Sequence, residues 1–289
     1  MTATAGGPVS VADPVWPTEG LDLDAYLARI GYDGPRKPTA DVLEQVHRAH
    51  TGTIPFENID LVLGVLPPLD VPSVQRKLVA ERRGGACAEL TVLFAAALEH
   101  LGFPARRLMV RPRLGDRNKQ GKLHAVVIVE ADGRQWLTDV GFGGEGLQQP
   151  IELVDGAESH VGPWRWRLNA EGDYWVLRTL RHDGWFDLYE FTSDPAFPID
   201  FEVGLHFSTM SPRSKFNEFL LVQRARAEAK QYFVGRKLIT FPPDGPPSEQ
   251  VIATDEIGAV LRDTFQLGLT DELAAKLATL PMPDEKAFS

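Results

Sequence analysis

The spacing of apolar positions changes twice along the chain. Over 21–103 it is helical. One short helix is predicted over 24–32. A second follows Thr39, a good N-cap, and lines up Val42, Leu43, Val46 and His50 on one face. A third is predicted over 73–82 and a fourth over 87–101, where Gly102 ends it. From Pro104 to about Phe191 the apolar positions alternate instead. Strands are predicted over 106–113, 124–131, 134–140, 164–168, 174–180 and 185–191, with Asp-Gly and Glu-Gly-Asp turns between several of them. Short strands with regular turns point to a small barrel or a curled sheet. The remainder mixes types: strands over 218–224 and 231–241, then capped helices over 254–265 and 270–280. Residues 1–20 are rich in Gly and Pro, lack any period and read as a mobile tail.

The segment from His124 to Val140 carries more than a strand signal. Two β-branched runs flank Asp132-Gly133, the strongest local cue for a two-residue hairpin turn. If Ala131 faces Arg134, then Asp139 falls opposite Val126, and His124 becomes its diagonal neighbour on the same face. Diagonal pairs lie about 7–8 Å apart at the backbone, within reach of an Asp–His hydrogen bond. A slip of one residue would put them on opposite faces.

The single cysteine, Cys87, follows Arg83-Gly84-Gly85-Ala86 and opens the fourth helix. Unpaired N–H groups and the positive end of the helix dipole converge there and favour a thiolate. Two readings are open on this flank alone: a nucleophile, or a buried structural cysteine. His124 and Asp139 favour the first, because Cys, His and Asp together can form a triad in which imidazole holds the thiolate and carboxylate orients the imidazole.

These residues resemble the arylamine N-acetyltransferase family. Its Arg-Gly-Gly-x-Cys-x-Glu motif is matched by Arg83 to Glu89, and its His and Asp-Val-Gly-Phe-Gly block by His124 and Asp139-Val140-Gly141-Phe142-Gly143. Further blocks match at Tyr26 to Tyr32, His47 to His50, Ile54 to Asp60 and Ser208 to Phe216, so the likeness runs from about residue 21 to the end. The resemblance implies an α+β fold: an N-terminal helical bundle over 21–103 carrying Cys87, and a central β-barrel-like domain over 104–205 carrying His124 and Asp139. An α/β lid over 206–289 follows, and the Cys-His-Asp triad is of the cysteine-protease kind. It implies transfer of an acetyl group from acetyl-CoA, through a Cys87 thioester, to the nitrogen of arylamines, arylhydrazines or N-hydroxyarylamines, with no metal. It places CoA between the β domain and the lid, against Gly121, Phe142 and Gly143, with Phe207 and Ser208 opposite. It also implies a buried charge cluster of Arg29, Glu57 and Arg83 near the cysteine. The chain departs from the family at Ala86 and Ala88, where an aromatic residue and Phe are common. Two other readings share the fold: an amide synthase closing a macrolactam from a carrier-bound polyketide, and a catalytically silent binding module.

Composition narrows the partners. With 40 acidic and 30 basic residues among 289, the formal charge is −10, which makes nucleic acid a poor partner. An anionic cosubstrate then requires a local cationic or N–H-rich surface. No apolar run approaches the roughly 20 residues of a membrane span, and no secretory leader is visible. One cysteine excludes an intramolecular disulfide, and a free reactive thiol suits the reducing cytoplasm. His47 and His50 are spaced for two metal ligands, but no further His/Cys cluster accompanies them and packing explains them better. Gly141 to Gly144 lacks the Lys-Ser/Thr of a phosphate loop. Trp164, Trp166, Trp175 and Trp185 read as core.

Overall fold

The computed structural model describes residues 14–114 and 121–280. Helix α1 (Leu23–Ile30) is capped by the Asp22 carboxylate on the Ala25 N–H and ends at Gly31, which takes the left-handed conformation at φ +70°. Thr39 caps α2 (Ala40–Thr53), as its sequence predicts. The third expected helix begins earlier than 73, because Asp70 caps α4 (Val71–Gln75), and then widens into a π turn over Arg76–Ala80. Helix α5 (Cys87–His100) is buried almost all round and forms the centre of the bundle. Two pieces carry no helical or strand period in the sequence: strand β1 (Phe56–Glu57) and the single-turn helix α3 (Ile59–Val62).

The β region is one antiparallel sheet of eight strands: β2 (Ala105–Pro112), β3 (His124–Ala131), β4 (Arg134–Thr138), β5 (Ile151–Glu152), β6 (Glu158–Val161), β7 (Trp164–Glu171), β8 (Tyr174–Arg181) and β9 (Gly184–Phe191). Their order is β5-β4-β3-β2-β9-β8-β7-β6, and the end strands β5 and β6 approach each other, so the sheet curls into a nearly closed barrel. Its core holds Trp166, Leu168, Leu177, Tyr189 and Phe191. Of the four tryptophans expected there only Trp166 is fully enclosed; Trp164 and Trp175 pack at its margin, and Trp185 lies outside under the Arg167 guanidinium.

Helix α6 (Pro198–Met210) crosses the expected domain boundary at 205/206. It was hidden because Ile199, Val203 and Met210 are exposed, which erases the polar face a surface helix usually shows. The C-terminal sheet has the order β1-β10-β11-β12-β13, with β10 (Leu221–Ala225), β11 (Lys230–Val234), β12 (Lys237–Phe241) and β13 (Ser248–Val251). The single strand expected over 231–241 is therefore two, folded back at Gly235, whose φ is +63°. Helices α7 (Ile257–Phe265), entered through a 3-10 turn, and α8 (Asp271–Ala278), capped by Thr270, cover this sheet.

Strand β1 binds the helical and C-terminal regions together. Phe56 and Glu57 pair with Gln223 and Val222, and Asn58 uses its whole amide: Nδ2 donates to the Phe216 and Phe219 carbonyls, and Oδ1 accepts from Leu221 N–H. Of the tail expected over 1–20, residues 1–13 lie outside the described residues. Residues 14–20 are anchored. Trp16 meets Phe201 edge-on at 4.7 Å, lies under the Arg107 guanidinium and donates its indole N–H to Ala196 O.

Candidate active site

The hairpin adopts the expected register: Ala131 faces Arg134 and Val127 faces Thr138, around Asp132 (φ +50°) and Gly133 (φ +72°). Asp139 lies one residue past the end of β4 and keeps the face. Its Oδ2 is 2.9 Å from His124 Nε2, and both side chains are buried. Asp139 Oδ1 accepts the Gly141 and Phe142 N–H groups at 3.0 and 3.1 Å. Its backbone is gripped from α2, where His47 Nε2 lies 3.1 Å from the Asp139 carbonyl. The carboxylate therefore cannot swing away from the imidazole.

Cys87 is the first residue of α5 and is half-buried. Glu89, two residues on, accepts the Ala86 N–H at 3.0 Å. Gly84 and Gly85 let the turn pass tightly: a Cβ at Gly84 would strike the Pro55 carbonyl, and one at Gly85 would crowd Glu89 and Leu78. Gly141 is equally constrained, since a Cβ there would sit 2.8 Å from Cys87 Cα. The loop after Asp139 thus lies directly on the cysteine. Cys87 Sγ is 3.7 Å from the Leu123 carbonyl, and the Cys87 side chain is near enough to His124 to help raise its pKa. With Nε2 held by Asp139, the nitrogen left for sulfur is Nδ1.

Electrostatics favour a charged pair here. Burial disfavours an imidazolium, but the Asp139 charge, its hydrogen bond and the Cys87 side chain outweigh it and raise the His124 pKa to about 10. Asp139 moves the other way: burial raises it, and the His124 charge with three hydrogen-bond donors brings it below the usual carboxylate range. Phe142 stands edge-on to the His124 ring at 5.0 Å, and Tyr189, from β9, faces both the ring and the Asp139 carboxylate. No local signal marks Tyr189 in the sequence, because its place depends on how β9 joins β2.

A buried ion network supports the cysteine turn. Arg83 bonds Glu57 at 2.6 Å and Asp60 at 3.2 Å, and Lys77 bonds Asp60 at 2.6 Å and Glu89 at 2.7 Å. The expected cluster of Arg29, Glu57 and Arg83 is corrected in one member. Arg29 is buried elsewhere, its Nε donating to Leu78 O, and Lys77, Asp60 and Glu89 complete the network. The π turn carries Lys77, which a regular helix reading does not single out. His47 and His50 are packed, not paired as ligands: both stand edge-on to Phe94, and His50 Nδ1 meets Tyr26 Oη at 2.8 Å. Among the described residues no group of three or more potential ligands could hold a metal, and no helix is long and apolar enough to cross a membrane.

An N-acetyltransferase family model matches residues 39–274, most of the chain. The chain belongs to the arylamine N-acetyltransferase family. It is 34% identical to the arylamine N-acetyltransferase of Escherichia coli K12 over 252 residues, which covers 86% of this chain and 90% of that protein. Identity to the Mycolicibacterium smegmatis arylamine N-acetyltransferase is 38%, over 75% of this chain and 82% of that one. The crystal structure of the Nocardia farcinica enzyme superposes with a TM-score of 0.86 at 40% identity, covering 94% of this chain and 98% of that one. The Mycobacterium marinum enzyme, solved in complex with CoA, gives 0.83 at 32% identity over 89% and 98% of the two chains.

Against this family background the two alanines beside Cys87 acquire a meaning. Ala86 does not open space. It is buried against Leu61, Leu69 and Leu205, the last from α6, and Ala88 is enclosed in the bundle core. The five residues expected at CoA divide into two groups. Phe142 and Gly143 lie in the loop that covers Cys87, with Gly143 at φ +85° against Gln223, and Gly121 is half-buried three residues before His124. Phe207 and Ser208 lie on α6. Ser208 is buried, and Phe207 is half-buried with the Arg213 guanidinium 5.6 Å from its ring centre. This helix nears the site through Leu205 at Ala86 and through Gly204, where a Cβ would meet Met109 and the Lys122 carbonyl.

Proposed function

We propose that Cys87, His124 and Asp139 are the catalytic triad of an acetyltransferase that moves an acetyl group from acetyl-CoA to the nitrogen of arylamines, arylhydrazines or N-hydroxyarylamines. The observation that carries the reading is the buried 2.9 Å His124–Asp139 bond, with Cys87 half-buried at a helix start and near enough to help raise the His124 pKa.

The chemistry follows from the charges. The thiolate attacks the thioester carbonyl, and a C–S bond forms as the bond to the CoA sulfur breaks. The departing thiolate takes the proton that His124 holds. His124 is then neutral. When the amine attacks the acetyl-cysteine carbonyl, the imidazole accepts its proton, the C–S bond to Cys87 breaks, and the thiolate–imidazolium pair is restored. Asp139 stays ionised throughout and keeps the ring in register. A thioester is reactive enough that no metal is called for. The acceptor must be unprotonated at neutral pH, which aromatic amines and hydrazines are. Gly121, Phe142 and Gly143 form the near wall of the CoA approach, and Phe207 and Ser208 the far one. A free thiol of this kind works in the reducing cytoplasm.

Mass spectrometry of the intact protein after exposure to acetyl-CoA without acceptor tests the reading. One added acetyl group, located on Cys87 and discharged by an arylamine, is expected. Acetylation that survives Cys87→Ala would remove the nucleophile assignment.

A further inference from the structure

A cavity of about 370 Å³ opens where the end of α2 meets the β10–β11 turn and β6. Arg48, Thr51, Gln148, Val161, Arg226 and Glu228 line it. Its chemistry is unusual for a protein of charge −10. Arg226 has no carboxylate partner among the described residues: Nε donates to the Gly52 carbonyl at 2.6 Å, and Nη2 reaches only the Gln266 amide oxygen at 3.4 Å. Arg48 has one loose pairing, to Glu44 at 3.4 Å, and that pair is half in water. Gln148 is 3% exposed, and its Nε2 has no hydrogen-bond partner. Leaving a buried amide donor unmet is unfavourable, so a donor of this kind on a cavity wall calls for an acceptor. Two guanidinium groups and an amide N–H₂ supply donors around one opening, beside the Thr51 and Thr53 hydroxyls and one carboxylate, Glu228. That is the donor set of an oxyanion site, with planar forks suited to two oxygens at once.

We infer that this cavity binds a small phosphate-type oxyanion, at a site separate from the acetyl-transfer centre. Thr51 and Ala225 also line a smaller cavity that reaches Asp139 and Phe142, so the oxyanion sits behind the carboxylate of the triad, not before the thiol. The same phosphoryl chemistry is carried by free phosphate and by the phosphates of CoA, and the position behind Asp139 favours free phosphate.

Inorganic phosphate titrated into the full-length protein, at constant ionic strength set with sodium chloride, tests this by calorimetry and by thermal unfolding. A saturable binding curve and a rise in Tm that chloride does not reproduce are expected. Arg226→Met should weaken binding about tenfold or more, the loss of one charge-assisted fork. Glu228→Gln should tighten it, a result that does not depend on how well Arg226→Met folds. Binding should persist with CoA saturating. Equal responses to phosphate and chloride, unchanged affinity in Arg226→Met, or weaker binding in Glu228→Gln would each overturn the site. Displacement of phosphate by CoA would assign the cavity to the cosubstrate and overturn its independence.

Discussion

The two sides of the proposed triad are held in place by opposite kinds of interaction. His124 and Asp139 are only 15 positions apart, and a two-residue turn with a fixed register brings them together. Cys87 is held from a distance. Pro55 and Glu57 pass beneath its glycines, Lys77 and Arg83 bridge Glu57, Asp60 and Glu89, and Gly141 lies on top. Pairing arithmetic along one hairpin brings His124 to Asp139. The seat of Cys87 depends on several segments arriving together, with no period to announce it.

The largest effect should come from the hairpin side. Asp139→Asn keeps the shape and removes the charge that raises His124, so acetyl transfer should fall by about 10³–10⁴ with the fold retained. Steady-state kinetics alongside a circular dichroism spectrum would show this. A loss under tenfold would mean that the carboxylate only packs.

On the cysteine side the expected loss is stability. Arg83→Met strips buried Glu57 of its hydrogen-bonded cation, and breaking a buried pair costs about 3–5 kcal/mol. Urea unfolding measures it. A cost below 1 kcal/mol would reduce the ion network to decoration and weaken the contrast. Ala86→Phe, the family-like substitution, should cost about 1–3 kcal/mol by overpacking against Leu61 and Leu205. An unchanged Tm would show that α6 yields easily.

The smallest effect per step is in pH. Burial keeps His47 and His50 neutral and lowers their pKa to about 4 and about 3, from an ordinary value of 6.5. The unfolded chain protonates first, so their contribution is complete above pH 6.5 and is lost as pH falls toward the folded values. The slope is about 1.4 kcal/mol per pH unit for each histidine. His124 runs the other way: its contribution is complete below 6.5 and lost as pH rises through about 10. Urea midpoints at pH 7, 6 and 5 should fall steadily, and His50→Phe should flatten the fall. A flat profile in the parent protein would place these rings in contact with water.

Legibility followed the same division. The caps at Thr39 and Thr270, the hairpin and the buried fourth helix were readable because each rests on a few neighbouring residues. Lys77 was not, since the π turn that carries it differs from a helix by one residue per turn. Nor was α6, with apolar residues on both faces, or β1, whose two residues acquire strand form only from Gln223 and Val222. Arg29 was misplaced because a block match conveys residue identity and not the direction of a side chain.

The tie at Asn58 also sets an order of events during synthesis. Its amide oxygen waits for Leu221, 163 residues downstream, and β1 waits with it. A chain leaving the ribosome therefore exposes the Phe56–Glu57 edge through the making of the bundle and the entire barrel. Closure of so long a loop is a late, non-local step, and until it occurs the chain holds an open strand edge beside its only thiol. The last quarter of the protein thus completes a structure begun at residue 56, which makes a truncated product an edge-exposed one.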